Sequence, residues 1–211
     1  MYSPLYPHLI AGRKEAGCDE AGRGSLAGPV VAAAVILPEN FYHPLLQDSK
    51  KMSEKQRVET EKYIKNHALA IGIGFCSARE IDTWNILRAS IKAMHRALDN
   101  LPFLPDFVLV DGNHFTPYLP PGEAPLPGNF IPHQCFVKGD ARYAAIAAAS
   151  VLAKNYRDRH MKELIHKYPG YGWENNKGYP TAVHRKALAR LGPCEEHRKS
   201  FSIKSDYLCT L

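Results

Sequence analysis

Eight consecutive apolar residues, Val30 to Leu37, stand between Pro29 and Pro38 in "PVVAAAVILP". A β-branched run this short, stopped by proline at both ends, reads as a buried strand. Just upstream lies "EAGCDEAG", and the short glycine-containing link between the two suits an antiparallel neighbour. In "DSKKMSEKQRVETEKYIKNHA", Ser53 and Gln56 have the spacing of a capping box and predict a helix to about Asn66. "LAIGIGFCSA" alternates and predicts a third strand. "REIDTWNILRASIKAMHRALDNL" puts Leu87, Ile91, Met94 and Leu98 at helical spacing, giving one apolar face.

Further along, "PDFVLVDGNH" predicts a short buried strand ending at Asp111. Pro117 to Pro132 is too rich in proline and glycine for a helix or a central strand and reads as an exposed loop. "QCFVKGDARYAAIAAASVLAKNYRDRHMKELIHKYP" predicts a strand, a turn at Gly139 and a long alanine-rich helix. "GYPTAVHRKALARLG" adds a short helix after a Tyr-Pro turn. Strands cluster early and alternate with helices later, so the fold class is α/β, a mixed sheet with flanking helices.

A chain of 211 residues fits one domain, or one domain with a small appendage, and needs no metal or disulfide to fold. The 27 Lys and Arg against 21 Asp and Glu leave a net charge of +6, compatible with a polyanionic partner but weak evidence alone. Five scattered cysteines without a CxxC pair suggest neither a disulfide framework nor a zinc site, and fit a reducing cytoplasm. No basic start with an apolar core marks a secretory signal, and no apolar run approaches the ~20 residues of a membrane span. The expectation is a cytoplasmic protein, monomeric by default.

Chemistry enters with the acids. Asp19 and Glu20 are adjacent, and in a regular strand they face opposite ways. They can converge where a strand ends or bulges, and Gly22 and Gly24 supply that freedom. Two crowded carboxylates call for a positive charge between them, and oxygen ligands favour Mg²⁺ or Mn²⁺. The pair could equally open a solvated turn. Asp111 and Asp140 each stand at the exit of a predicted strand beside a glycine. Either one alone reads more readily as a cap or turn aspartate. Jointly that reading weakens.

"CDEAGRGSLAGPV", "DSKKMSEKQR", "VLVDGN", "VKGDAR", "IAAASVLAKNYRDR" and "NKGYPTAVHR" resemble, in order, the motif set of ribonuclease HII, the type 2 ribonuclease H, from about residue 14 to 201. The resemblance implies a ribonuclease H-like mixed five-stranded sheet flanked by helices, in a catalytic domain over 1–165, with a small helical C-terminal part over 166–211. It implies cleavage of the RNA strand of RNA–DNA hybrids and cutting 5′ of single ribonucleotides embedded in duplex DNA. The reaction would be two-metal phosphodiester hydrolysis leaving 5′-phosphate and 3′-hydroxyl ends, with Mn²⁺ or Mg²⁺ held by Asp19, Glu20, Asp111 and Asp140. Gly22, Arg23 and Gly24 would meet the ribonucleotide, Ser49 and Lys50 the substrate, and Tyr179 the next sugar. Asn85 could touch the DNA strand. Lys154 is a phosphate-contact candidate or half of an ion pair with Asp158.

Departures from the family pattern are small: Cys18 replaces an aliphatic residue, Ser25 a frequent proline, and the Pro117–Pro132 loop is longer than typical. His160, His166 and His197 read as surface helix residues. The type 3 relatives carry an extra N-terminal domain and a glutamate as fourth acid, against a short lead and Asp140 here. The tail "SFSIKSDYLCTL" has no clear clamp-binding motif. The rival reading is a non-catalytic nucleic-acid binder whose acids only cap turns.

Overall fold

The computed structural model describes residues 5–201; the last ten residues of the tail, with Cys209, lie outside them. Five strands form one sheet in the order β3-β2-β1-β4-β5. They are β1 (Glu15–Ala21), β2 (Val30–Ile36), β3 (Ala70–Cys76), β4 (Phe107–Asp111) and β5 (His133–Phe136). β1–β2 and β2–β3 are antiparallel, whereas β1–β4 and β4–β5 are parallel, so the mixed sheet is as expected. β2 is buried along its whole length, because helices cover both faces.

On one face lie α2 (Ala78–Trp84) and α3 (Ile86–Asp99). Ala16, Cys18, Ala32 and Ala34 pack there with Ile91, Met94 and Leu98. On the other lie α1 (Glu54–His67) and α4 (Ala144–Lys167), where Ala33 and Val35 meet Ala147, Ala148 and Val151. The alanines of α4 let it come close: a Cβ built on Gly17 of β1 would sit 2.2 Å from the carbonyl carbon of Ala145. Two short helices, α5 (Trp173–Asn176) and α6 (Ala182–Leu191), complete the C-terminal part. No helix among the described residues is long and apolar enough to cross a membrane.

The capping box forms at Ser53 and Gln56, and α1 ends one residue past Asn66. Two readings need correction. The stretch read as one amphipathic helix is two, broken at Asn85, which adopts φ +68° and caps α3 by accepting from Leu87 and Arg88 N–H groups. Leu87, expected on its apolar face, is exposed instead. His197 is no surface helix residue: it lies outside the helices, only 3% exposed. The Pro117–Pro132 loop is exposed over 121–128, but Tyr118 pins its base, buried and donating to Asp99 Oδ1 at 2.9 Å.

Candidate active site

Parallel pairing of β1 with β4 ends at Cys18 opposite Val110. Asp19 and Asp111 come one residue later, so two adjacent strands deliver carboxylates side by side at their C-terminal ends. Cys18 and Val110 pack into the α3 face, so alternation turns the next residues toward α4. β1 stays in regular register with β2 through Ala21, without the bulge the dipeptide suggested. Glu20 therefore points to the α3 side, where it lines a small cavity with Arg23, Asn113 and His114; Asp111, the last residue of β4, reaches the rim of that cavity from the strand end. Asp111 is the hub. Its Oδ1 accepts from Gly139 N–H at 2.7 Å, which brings the turn carrying Asp140 alongside.

Electrostatics register the crowding. Burial, then the charges of Glu20 and Asp111, hold the Asp19 carboxyl well above the usual carboxylate range, while a hydrogen bond from Ser150 opposes them. Burial and Asp111 raise Glu20 against the pull of Arg23, whose Nη1 lies 3.3 Å from Glu20 Oε1. Asp140 is pushed up to about 6 by burial and by Asp111. Lys50 Nζ reaches to 3.8 Å from Asp140 Oδ2 while staying largely exposed.

An oxygen-only set of crowded carboxylates has the chemistry of a hard divalent site. The set is not drawn tight: among the described residues no three His, Cys, Asp or Glu side chains are spaced to hold one ion. What fits such a cation is the donor chemistry, carboxylate oxygens alone on Asp19, Glu20, Asp111 and Asp140.

Around the acids, the glycine loop has two different reasons for its bare backbone. At Gly22, with φ +100°, a Cβ would sit 2.1 Å from Arg157 Nε, so that glycine makes room inward. At Gly24 a Cβ would meet nothing within 4 Å, so that backbone is open outward. Arg157 and Arg198 are both buried, and nothing in the sequence marks them as structural residues. Arg157 donates to the carbonyls of Pro29, Ala27 and Lys177; Arg198 donates to those of Gly28 and Arg23. They clamp the 23–29 loop to the C-terminal segment. Gly178 O accepts from Leu26 and Ala27 N–H, which brings Tyr179 beside the loop, its ring 5.2 Å from the Arg157 guanidinium.

Other candidates are placed less directly. Ser49 is turned inward, its hydroxyl 2.8 Å from that of Ser150, and so supports Asp19 from behind rather than facing solvent. Lys154 forms the ion pair with Asp158, at 2.6 Å. Asn85 sits on the lip of a groove of about 760 Å³ with Arg88, Lys92, His114 and Trp84, contiguous with the cavity beside Glu20 through Leu87, Ile91 and His114.

A mixed sheet in this order, flanked by helices, is the fold of solved ribonucleases H. The crystal structure of the ribonuclease H2 from Pyrococcus horikoshii OT3 superposes with TM-score 0.71 at 24% identity, covering 89% of this chain and 93% of that one. The crystal structure of Bst-RNase HIII in complex with Mn²⁺ shares the fold at TM-score 0.66 and 17% identity, covering 92% of this chain and 69% of that one. The chain belongs to the ribonuclease HII family: the family model "Ribonuclease HII" matches residues 16–204. Ribonuclease HII of Porphyromonas gingivalis is 55% identical over 188 residues, 89% of either chain. The protein is thus a ribonuclease H, an endoribonuclease acting on the RNA of RNA–DNA hybrids.

Proposed function

We propose that this enzyme also cuts duplex DNA on the 5′ side of a single embedded ribonucleotide, with Asp19, Glu20, Asp111 and Asp140 as its metal-binding and catalytic acids. The observation that carries the reading is the place of Asp111, one register step past the last β1–β4 pair, where its charge reaches Asp19, Glu20 and Asp140 together. Mg²⁺ or Mn²⁺ would be held by these four, and when bound would supply an activated water and a stabilised leaving 3′-oxygen. The chain's own groups do the rest. Lys50 offsets the charge at Asp140 and faces solvent where a phosphate arrives. Arg23, half exposed at the rim, pairs with phosphate once it leaves Glu20.

Recognition of the ribonucleotide rests on backbone. A 2′-hydroxyl is both donor and acceptor, and the open backbone at Gly24 can approach it without a side chain between. Tyr179, half-buried at the edge of the same loop, stacks on the following sugar, where a ribose oxygen would crowd the ring. The complementary DNA strand lies along the groove edged by Asn85, Arg88 and Lys92. The C-terminal part that carries α5 and α6 serves as an extension that frames the junction, and the enzyme works as a cytoplasmic monomer.

The test is cleavage of a DNA duplex carrying one ribonucleotide, with and without Mg²⁺ or Mn²⁺. The expected product is a single metal-dependent cut 5′ of the ribonucleotide, leaving 3′-hydroxyl and 5′-phosphate ends. A requirement for several consecutive ribonucleotides would defeat the junction reading.

A further inference from the structure

Behind Tyr179 the fold buries Trp173, His184 and His197, each at most 3% exposed, and none of them belongs to the acid cluster. The groups at either end of this chain of contacts can only donate, and that fixes every proton between them. Trp173 Nε1, an obligate donor, lies 3.0 Å from His184 Nε2, so that nitrogen is bare. The neutral ring then carries its proton on Nδ1, which faces Tyr179 O at 3.0 Å. At the other end, the Cys194 thiol lies 3.2 Å from His197 Nδ1 and can serve either way, but the Cys194 backbone N–H, 3.0 Å from the same nitrogen, can only donate, so that nitrogen is bare too. The His197 proton is therefore on Nε2, 3.1 Å from His184 Nε2, whose single lone pair is shared between this N–H and that of Trp173. A second proton on either ring would set N–H against N–H.

We infer that His184 is a positioning residue: its Nδ1–H holds the Tyr179 carbonyl, and His197 and Trp173 together hold His184 in the one tautomer that can do so. The inference rests on the reading of Tyr179 as the junction sensor. A role confined to stability would arise from the same burial, so the test must separate holding Tyr179 from filling the core. Asparagine and glutamine separate them geometrically. His184→Asn puts an amide nitrogen where Nδ1 was and can keep the bond to Tyr179 O. His184→Gln puts its amide near Nε2 and abandons that bond. Both leave a buried donor unsatisfied, so both lose stability.

The measurement is the ratio of cleavage rates on a duplex with one ribonucleotide and on one with four, together with thermal stability. His184→Gln should lose about tenfold of the single-ribonucleotide preference, whereas His184→Asn should stay within about threefold of the parent. Equal ratios in both variants and the parent would overturn the positioning role, as would a loss in both. Tyr179→Ala serves as the reference. If it keeps the preference, the junction reading fails and the positioning role falls with it; if it loses the preference while His184→Gln keeps it, only the positioning role fails. A second measurement needs no variant. Long-range ¹H–¹⁵N correlation at pH 7 should show His184 protonated on Nδ1 and His197 on Nε2. The opposite tautomer at His184, or an imidazolium there, would overturn the arrangement.

Discussion

Asp140 illustrates what burial beside another acid costs a carboxylate. Its ionised form is disfavoured by burial and by Asp111, which moves it from an ordinary 3.8 to about 6. The sign follows directly. Above pH 6 the group is ionised both folded and unfolded, and the folded protein bears the penalty; below that range the penalty fades. Asp140→Asn should therefore raise the metal-free melting temperature at pH 8 by about 2–4 °C, equivalent to roughly 1 kcal/mol, while cleavage is lost. A calorimetric scan in chelator reads this, and a fall in melting temperature would count against like-charge crowding. That this acid stands in a turn just past a strand was legible in "VKGDAR", although alone that pattern reads more readily as a turn aspartate. The inward turn of Ser49 was not legible, since nothing local distinguishes a hydroxyl facing solvent from one facing Ser150.

At the scale of elements, the approach of α4 to β1 decides how closely Asp19 can sit to the turn bearing Asp140. Gly17 makes that approach possible, for an added methyl would lie 2.2–2.5 Å from the backbone of Ala145 and Ile146. Gly17→Ala should destabilise by about 2 kcal/mol or more, read as a lowered urea midpoint. Gly24→Ala is the informative contrast. Its methyl would project into open space, so stability should hold within about 0.5 kcal/mol while KM for hybrid substrate rises. Equal stability losses in the two variants would contradict this division of labour. The strands, the capping box at Ser53 and the long α4 were all readable from period and punctuation. The break between α2 and α3 was not, because Asn85 lies inside an uninterrupted helical pattern and betrays its cap only through φ +68°.

Across the whole molecule, the 23–29 loop is tied to the C-terminal segment by Arg157 and Arg198, and the Tyr179 turn by the His184–His197 pair. Buried arginines were invisible in the sequence, since that residue type is nearly always exposed and only tertiary carbonyls justify its burial. His197 was misplaced for the same reason. Burial and the neighbouring His184 hold it down to about 4, against an ordinary 6.5. A histidine kept neutral in the fold contributes stability that is full above pH 6.5 and declines as pH falls toward 4. Stability measured by urea should accordingly drop by a few kcal/mol between pH 7 and pH 4, and His197→Gln should flatten that slope. An unchanged slope in the variant would assign the acid sensitivity to other groups.

If distant carboxylates share a divalent cation with Asp111 between them, Asp111 must carry much of the affinity for that cation. Mn²⁺ binding, followed by calorimetry on the intact enzyme and on Asp111→Asn, addresses it without passing through catalysis. The parent should bind Mn²⁺ and the variant should bind at least about tenfold more weakly, with its fold and its affinity for an RNA–DNA hybrid largely retained. Equal Mn²⁺ affinity in the two proteins would mean that the metal, if it acts, is held somewhere else.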